Sequence, residues 1–370
     1  MAAGFGVPPE QMRWVIICYV GTYALMSFVG GAAADTVGHA RVFSAGLALS
    51  ALGFVLAGTA PAFAWHLGGR AVQGFAAGLV YGTAPGLVTL AAPPEARGRA
   101  LGFVSAGIGV AFTGGPLLAG LLVEAFGWRA VFHVRVPLAL AAFAWATLAL
   151  PVARAPAGHR LVRLRSILWA PVLHASLLAF VANAGIFAIW LLAPFYLVER
   201  RGLDARLGGL LFMLAPLGWT LAAPLGGRVA DRLGARIPVA TGLALEAVGL
   251  LLMSLVDPSS PIAMPAVALL AAGLGLGFFQ VPNMSSVMGE FGREQQGAAG
   301  GLTFLSRTLG TVAGTLTFAQ IVAARRSLAG FDAAFGEVFL VAGGLVAAAA
   351  LLALVPTGGP PRAEGTRLLP

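Results

Sequence analysis

One short motif occurs twice in the chain, about 200 residues apart. Residues 31–38 read Gly-Ala-Ala-Ala-Asp-Thr-Val-Gly, and residues 227–234 read Gly-Arg-Val-Ala-Asp-Arg-Leu-Gly. Both copies keep the spacing of glycine, alanine, aspartate and glycine, and both end a long apolar stretch. A repeat of this length is too long for a solenoid unit and is typical of transporters built from two similar halves. We therefore predict an internally duplicated membrane protein with one short charged turn in each half.

The duplication continues outside this turn. Residues 101–109 match residues 302–310 at leucine, phenylalanine, serine and the final glycine, and residues 78–85 match residues 275–282. The chain is 59% hydrophobic and 10% charged, whereas a soluble globular domain carries roughly 25% charged residues. The net charge of +9 would suggest nucleic-acid binding in a soluble protein. Here the arginines lie mostly in short turns between apolar runs, which indicates membrane topology and no nucleic-acid partner.

Eleven apolar stretches are long enough to cross a bilayer, which takes about 20 helical residues. They lie at residues 14–34, 41–60, 63–92, 99–123, 131–152, 170–198, 207–230, 236–256, 262–288, 297–323 and 334–356. These divide into an N-terminal bundle (1–152), a basic cytoplasmic linker (153–167), a C-terminal bundle (168–356) and a disordered tail (357–370). Because the first bundle has five spans and the second has six, we expect that the first helix is missing, through a downstream start assignment or a genuine truncation.

The distribution of arginine predicts the orientation, because basic turns are retained on the cytoplasmic side. The side that carries residues 31–41 also holds Arg97, Arg99 and the basic linker, and it has the larger share of the turn arginines. We therefore expect this side and the C-terminus to be cytoplasmic, in an inner (cytoplasmic) membrane. Residues 1–10 lack the charged start and the apolar core of a signal peptide.

Several motifs are similar to those of one transporter family. The turn at 31–38, and more closely its second copy at 227–236, resembles the loop motif after the second helix of the major facilitator superfamily. Residues 70–78 look like its fourth-helix motif, and residues 114–120 look like the fifth-helix Gly-Pro motif associated with exporters. Over essentially its whole length the chain resembles this superfamily and, within it, the drug:proton antiporters. The resemblance implies an all-α polytopic fold of two pseudo-symmetric helical bundles, in the twelve-span layout without its first helix.

The repeated turns supply the first group of predicted functional residues. The family layout implies that Asp231 faces the N-terminus of the fifth helix and Asp35 that of the eleventh, where the helix dipole stabilises a carboxylate. Such contacts can lock one closed state and must break in the other. The alternative is that Gly-Asp-Gly only forms a tight turn. The predicted conformational latch consists of Gly31, Asp35, Gly38, Gly227, Asp231, Arg232 and Gly234.

The Gly-Pro motif supplies a second group. Gly109, Pro116 and Gly120 share one helix face. Gly114 and Gly115 leave the helical turn between them without side chains. Small residues and proline in this arrangement allow close helix packing and a bend. We therefore predict a helix-packing seal at Gly115, Pro116 and Gly120.

Polar residues deep in the spans form a third group. An arginine at a helix centre costs on the order of 2.5–3.5 kcal/mol by insertion scales, so Arg70 and Arg307 should face protein or water. Gln73 lies beside Arg70, and Glu246 is the only acidic residue deep within any predicted span. We predict that these four residues handle protons or substrate. The alternatives are a structural partner for Arg307 and a protonated or locally hydrogen-bonded carboxyl at the bundle periphery for Glu246.

Two helix faces are predicted to line a central cavity. Ser176, Asn183 and Trp190 recur at seven-residue spacing, and Gln280 and Asn283 lie three residues apart, so each set shares one face of its helix. The alternative for these side chains is packing. Further soft apolar surface is predicted at Tyr81, Met213, Trp219 and Phe278.

Nothing in the sequence indicates an enzyme. The five histidines lack the spacing of a metal site, no Gly-x-Ser-x-Gly occurs, and the glycines at 273–277 lie inside an apolar helix. We expect no catalytic residue, metal or cofactor. The predicted function is proton-coupled efflux of lipophilic small molecules by alternating access, performed by a monomer in the bilayer. Because the predicted cavity carries arginines and no acid, neutral or anionic substrates fit better than cations. The alternatives are a metabolite uptake symporter or facilitator, and a truncated product that does not transport.

Overall fold

A computed structural model of the protein describes residues 1–150 and 164–357. These ranges are almost wholly helical and contain no strand. Ten of their helices are long and apolar enough to cross a membrane. In chain order these ten are α1 (Arg13–Val37), α2 (His39–Gly58), α3 (Phe63–Ala91), α4 (Arg97–Phe126), α5 (Ala130–Ala149), α6 (Ala170–Arg200), α7 (Arg206–Leu233), α8 (Arg236–Ser254), α9 (Ala263–Gly289) and α11 (Gly330–Leu352).

The remaining predicted span, at 297–323, forms α10 (residues 296–329). It is continuous with α11 in a helix over Gln296–Leu352 that breaks at Gly330, where φ is 83° and ψ is 172°. Only glycine adopts this conformation readily. Glycines in the first part of α10, up to Gly314, closely approach α1, α3 and α6, so this part is enclosed by protein and can be less apolar than a helix that faces lipid. Each of the predicted spans therefore corresponds to a helix.

The same helix pairs pack together in both halves. Helix α3 packs against α1 and α2, just as α9 packs against α7 and α8. Helix α2 packs against α5, and α8 packs against α11. Between the halves, α1 contacts α10 and α4 contacts α7. Helix α6 packs against α10 and α11 and has no counterpart among the described helices of the first half, which leaves five spans there and six in the second half.

The predicted linker at 153–167 and the predicted tail at 357–370 lie mostly outside the described residues. At the edge of the linker, residues 164–167 form a single helical turn. The exact boundaries of the two bundles therefore stay a prediction.

The hydrophobic cores of the two halves are unequal. The largest cluster of buried apolar residues lies within residues 178–353. A second cluster spans the interface, where Leu101 of α4 packs among residues of α6, α7, α9 and α10. The cluster confined to the first half consists of Ala34, Val42 and Leu79. Leu101 of the first half is therefore buried against the second half and not in a core of its own.

Helix packing in the second half depends on glycine at position 273. A Cβ on Gly273 of α9 would lie 1.9 Å from the carbonyl oxygen of Ala215 in α7, and backbone atoms cannot rotate aside. Since overpacking costs about 1–3 kcal/mol, we expect Gly273→Val to lower the thermal stability of the purified protein. The control Gly344→Val places the same side chain on α11 in open space. Equal melting temperatures of the two variants in detergent would contradict the prediction.

Candidate functional site

The first repeated turn closes on the start of α10. Asp35 Oδ1 accepts a hydrogen bond from the amide of Gly297 at 2.7 Å, and Oδ2 accepts one from the amide of Ala298 at 2.9 Å. These amides have no partner within α10, so the carboxylate satisfies them and interacts favourably with the helix dipole. His39 Nε2 lies 3.3 Å from Asp35 Oδ1. The backbones also touch, since a Cβ on Gly31 would lie 2.1 Å from the Gly297 oxygen.

The second repeated turn closes on the start of α4 in the same way. Asp231 Oδ1 accepts a hydrogen bond from the amide of Gly98, and Oδ2 accepts one from the amide of Arg99, both at 2.8 Å. A Cβ on Gly227 would lie 2.1 Å from the Gly98 oxygen. In the family numbering, which counts one helix before α1, α4 is the fifth helix and α10 is the eleventh. Both carboxylates thus contact the helix N-termini that the family layout implied. Each contact joins one half of the protein to the other.

The other residues of the predicted latch surround these contacts. Gly38 and Gly234 follow the ends of α1 and α7 with φ of 109° and 78°, a region that favours glycine. Arg232 is exposed. We call the end of the molecule where α1 and α7 end and α4 and α10 begin the carboxylate end.

The close packing predicted for the Gly-Pro motif is absent. Pro116 and Gly120 are exposed, and a Cβ on Gly115 or Gly120 would meet no atom within 4 Å. The tight contact of α4 with α7 lies nearer the carboxylate end, where a Cβ on Gly102 would lie 2.8 Å from Pro224 Cα. The spacing predicted correctly which residues share one face of α4. However, α4 contacts α7 only along its N-terminal part, before the Gly-Pro motif.

Polar contacts between the two halves lie at one end of the molecule and in its middle. Within the described ranges, the hydrogen bonds that cross between the halves are those of Asp35 and Asp231, one from Trp219 Nε1 to Ser105 Oγ at 3.1 Å, and one between the side chains of Tyr23 and Thr308. At the opposite end, the ion pairs of α11 with α6 and α10 remain within the second half. In the described part of the chain, the halves are thus linked at the carboxylate end and have no polar link at the other.

Arg70 and Gln73 of α3 contact each other and face protein. Arg70 donates from Nη1 to Gln73 Oε1 and from Nε to the Val15 carbonyl at 3.2 Å. Its guanidinium lies 4.2 Å from the ring centroid of Tyr19. Gln73 donates from Nε2 to the Gly53 carbonyl at 2.9 Å. Together these contacts tie α3 to α1 and α2.

Arg307 lies in α10 at the interface between the halves and is 9% exposed. Its guanidinium lies 4.6 Å from the ring centroid of Phe304, and the hydroxyls of Tyr23 and Tyr81 are within electrostatic range. Among the described residues it has no salt bridge and no hydrogen-bond acceptor. Arg307 is therefore a buried cation without a counter-ion.

Glu246 lies apart from the other three residues of its predicted group. It is fully buried between α8 and α9, and within the described residues neither carboxyl oxygen has a hydrogen-bond partner. The two helices meet tightly here, since a Cβ on Gly275 would lie 2.2 Å from the Glu246 nitrogen. A proton carrier needs access to water, which this position lacks.

We expect Glu246→Gln to leave pH-driven transport unchanged, because the amide keeps the shape of the side chain at a position without access to water. The measurement is initial uptake into proteoliposomes under an imposed pH gradient. Loss of transport by a variant that remains monodisperse would contradict this expectation and would support a role for Glu246 in proton transfer.

The residues predicted to line the cavity take different positions. Trp190 meets the first half, with its ring centroid 5.4 Å from that of Phe112 in α4. Asn283 donates to a backbone carbonyl of α6 at 3.0 Å, and Asn183 donates to its own helix at 2.8 Å. Gln280 is buried and Ser176 is half-buried. Of the residues predicted for the cavity, Trp190, Trp219 and Tyr81 have ring contacts with the other half.

A row of aromatic rings lies at the interface, and the sequence indicated only Tyr81 of this row. The ring centroids are 6.1 Å apart for Tyr19 and Tyr23, 5.8 Å for Tyr23 and Tyr81, and 5.4 Å for Tyr81 and Phe304. We call these four residues the tyrosine ladder. The spacing of Tyr19 and Tyr23, four residues apart, was the available signal, because it places both on one face of α1.

Comparison with known proteins identifies the family. The family profile described as Major Facilitator Superfamily matches residues 1–315. The chain is 24% identical over 375 aligned residues to the riboflavin transporter RibZ of Clostridioides difficile, covering 87% of this chain and 82% of RibZ. It is 36% identical over 136 residues to the multidrug resistance protein Stp of Mycobacterium tuberculosis, covering 36% of this chain and only 25% of Stp.

The fold is also that of a solved transporter. The proton:xylose symporter XylE superposes with a TM-score of 0.73 at 15% identity, covering 95% of this chain and 87% of that chain. The paired halves, the repeated carboxylate contacts and the profile match lead to one conclusion. The protein is a transporter and belongs to the major facilitator superfamily.

Proposed function

We propose that the protein exports lipophilic small molecules by alternating access, in exchange for protons. The observation that supports alternating access is the pair of carboxylate contacts, which hold the halves together at the carboxylate end. A transporter of this kind must open the closed end and close the other in each cycle. The Asp35 and Asp231 contacts have the same geometry and are related by the pseudo-symmetry of the two halves, so both can break in the same conformational change. The residues around Asp35 and Asp231 thus serve as the latch of the closed state.

The proposed orientation places the carboxylate end in the cytoplasm. The turns at this end carry the larger share of the turn arginines, as the positive-inside rule requires. The closed end is then the cytoplasmic one, and the space between the halves opens outward. The proposed membrane is the inner membrane, and in this orientation the C-terminus lies on its cytoplasmic side.

Export and proton exchange rest on the relatives and the resemblance. Stp is named a multidrug resistance protein and aligns with more than a third of this chain, and the fifth-helix motif resembles that of exporters. The runner-up is transport of a metabolite, which the alignment to the riboflavin transporter RibZ over 87% of the chain favours. In both cases the substrate is a small organic molecule bound between the halves.

Opposite pH gradients distinguish these alternatives in proteoliposomes. The purified chain is reconstituted and offered two fluorescent probes, riboflavin and fluorescein, in separate experiments. An acidic lumen should drive accumulation of a probe by proton exchange, whichever way the protein is inserted. Accumulation only with an acidic exterior would indicate symport and contradict the exporter. No uptake of either probe under either gradient, by protein that remains monodisperse, would count against transport itself.

A further inference from the structure

The tyrosine ladder runs between two arginines that lack an acidic partner. The Arg70 guanidinium stacks on Tyr19 at one end, and the Arg307 guanidinium stacks on Phe304 at the other. Arg135 adds a third positive charge within electrostatic range of Arg70. In the described ranges, no carboxylate lies within ion-pair distance of any of the three. The region is therefore positively charged throughout.

The acidic residues that are buried in the described ranges form no ion pair with these arginines. Asp35 accepts the amides at the start of α10, and Glu246 is enclosed between α8 and α9. Arg307 is left with ring faces and hydroxyl groups. Burying an unpaired ion costs several kcal/mol, of which a cation–π contact recovers about 0.5–2 kcal/mol. A bound anion would supply the missing counter-charge.

The ladder follows a path from the end opposite the carboxylate end, which is the open end of the proposed transporter, towards the middle of the membrane. Tyr19 lies about 9 Å from the start of α1 and Tyr23 about 15 Å, at 1.5 Å per residue. Arg307 lies about 16 Å from the start of α10, at the carboxylate end. The three tyrosines are half-buried, so parts of their rings and hydroxyls remain accessible between the halves. A ligand that enters from the open end would meet Arg70 first and Arg307 last.

We propose that Arg307 and the tyrosine ladder form the binding site of a planar organic anion. The acidic group pairs with the Arg307 guanidinium, whose fork of donors matches a carboxylate or sulfonate. The ring of the ligand packs against Tyr23 and Tyr81, which offer both aromatic faces and hydroxyl groups. Arg70 attracts the anion from the open end, and the same charges repel a cation. This site deepens the proposed transport function and rests on it.

An internal counter-charge would separate a ligand site from a purely structural arginine. Thr311 lies one turn beyond Arg307 in α10, is half-buried, and donates no side-chain hydrogen bond within the described residues. A glutamate at this position is four residues from Arg307 and within reach of its guanidinium. Thr311→Glu would neutralise Arg307 without removing it. Thr311→Gln is the matched control, because it has the same length and no charge.

The test is binding to the purified full chain in detergent, measured by fluorescence anisotropy. Fluorescein is the anionic probe, and tetramethylrhodamine methyl ester, which has the same ring skeleton, is the cationic one. We expect the wild type to bind fluorescein in preference to the cation. Arg307→Gln and Thr311→Glu should each weaken fluorescein binding about 10- to 100-fold, the effect of losing a charge-assisted pair. Thr311→Gln should bind as the wild type does.

Each other outcome overturns the proposal. Equal binding of the two dyes, or unchanged fluorescein affinity in Arg307→Gln or Thr311→Glu, would mean that no anion site exists at Arg307. Size-exclusion profiles establish that each variant is folded, and the two variants act at different positions, so a folding defect in one leaves the other decisive. Binding is measured without a gradient. Arginine-dependent binding by a chain that fails to transport in liposomes would therefore count against the transport proposal and leave the site in place.

Discussion

Asparagine in place of Asp35 should reduce transport at least about tenfold, which corresponds to a loss of 1.4 kcal/mol or more from the closed state. The carboxylate accepts two amide hydrogen bonds at the start of α10 and is 9% exposed. Charge-assisted bonds at a helix N-terminus are stronger than neutral ones. Asparagine keeps one acceptor but turns an amino group towards an amide donor. The closed carboxylate end should therefore lose its latch.

Thiol labelling reports the opening directly. Leu302 lies in the buried cluster that both halves share, so Leu302→Cys in a Cys18→Ser background should react with a maleimide only when the carboxylate end opens. Asp35→Asn should speed this labelling. The control is Asp204→Asn, because Asp204 also accepts two helix N-terminal amides, but within its own helix at the opposite end. Equal labelling and equal transport in the two asparagine variants would contradict the latch.

Valine in place of Gly227 should hold α4 and α7 apart and stop the cycle. A Cβ at this position would lie 2.1 Å from the Gly98 carbonyl oxygen, and valine adds two further methyl groups. Overpacking against a backbone costs about 1–3 kcal/mol, and this cost falls only on the closed state, since the helices are separated in the open one. We expect transport to be lost while the protein remains folded with its carboxylate end open.

The measurement uses a cysteine on the other side of this contact. Leu101 of α4 is 1% exposed in the interface cluster, so Leu101→Cys should be labelled rapidly in the Gly227→Val background. Gly209→Val is the control, because it places the same side chain in α7 where no atom lies within 4 Å. A protected Leu101→Cys with normal transport in Gly227→Val would show that the closed state tolerates the added volume.

The sequence predicted those parts of the protein that depend on local pattern or on duplication. Spans follow from apolar length, because lipid offers no partner for a free backbone. The contacts of Asp35 and Asp231 could be predicted because one motif occurs twice. The family layout then implied a partner helix for each copy. Even α10, which is less apolar than its neighbours, was recognised as a span from its length.

The sequence could not predict contacts that depend on how helices rotate and tilt. Tyr19, Tyr81 and Phe304 belong to three different helices, and their spacing along the chain carries no information about their meeting. The same limit explains why the predicted seal at the Gly-Pro motif is wrong. The spacing showed which residues of α4 share a face, but it could not show that α7 lies away from that face. The close approach of Gly102 to Pro224 is likewise a property of the assembled bundle.

The unequal hydrophobic cores bear on how the protein is made. Translation starts at the N-terminus, and domains generally fold as they leave the ribosome. Here the half that emerges first buries only a small cluster of its own, and Leu101 finds its neighbours among helices translated later. We expect α1, α2 and α3 to pack together early, because their backbones already meet closely within the first half. Helix α4 would then find the neighbours of Leu101 only after α7 and α10 have been synthesised, so a late part of the chain completes the packing of an early one.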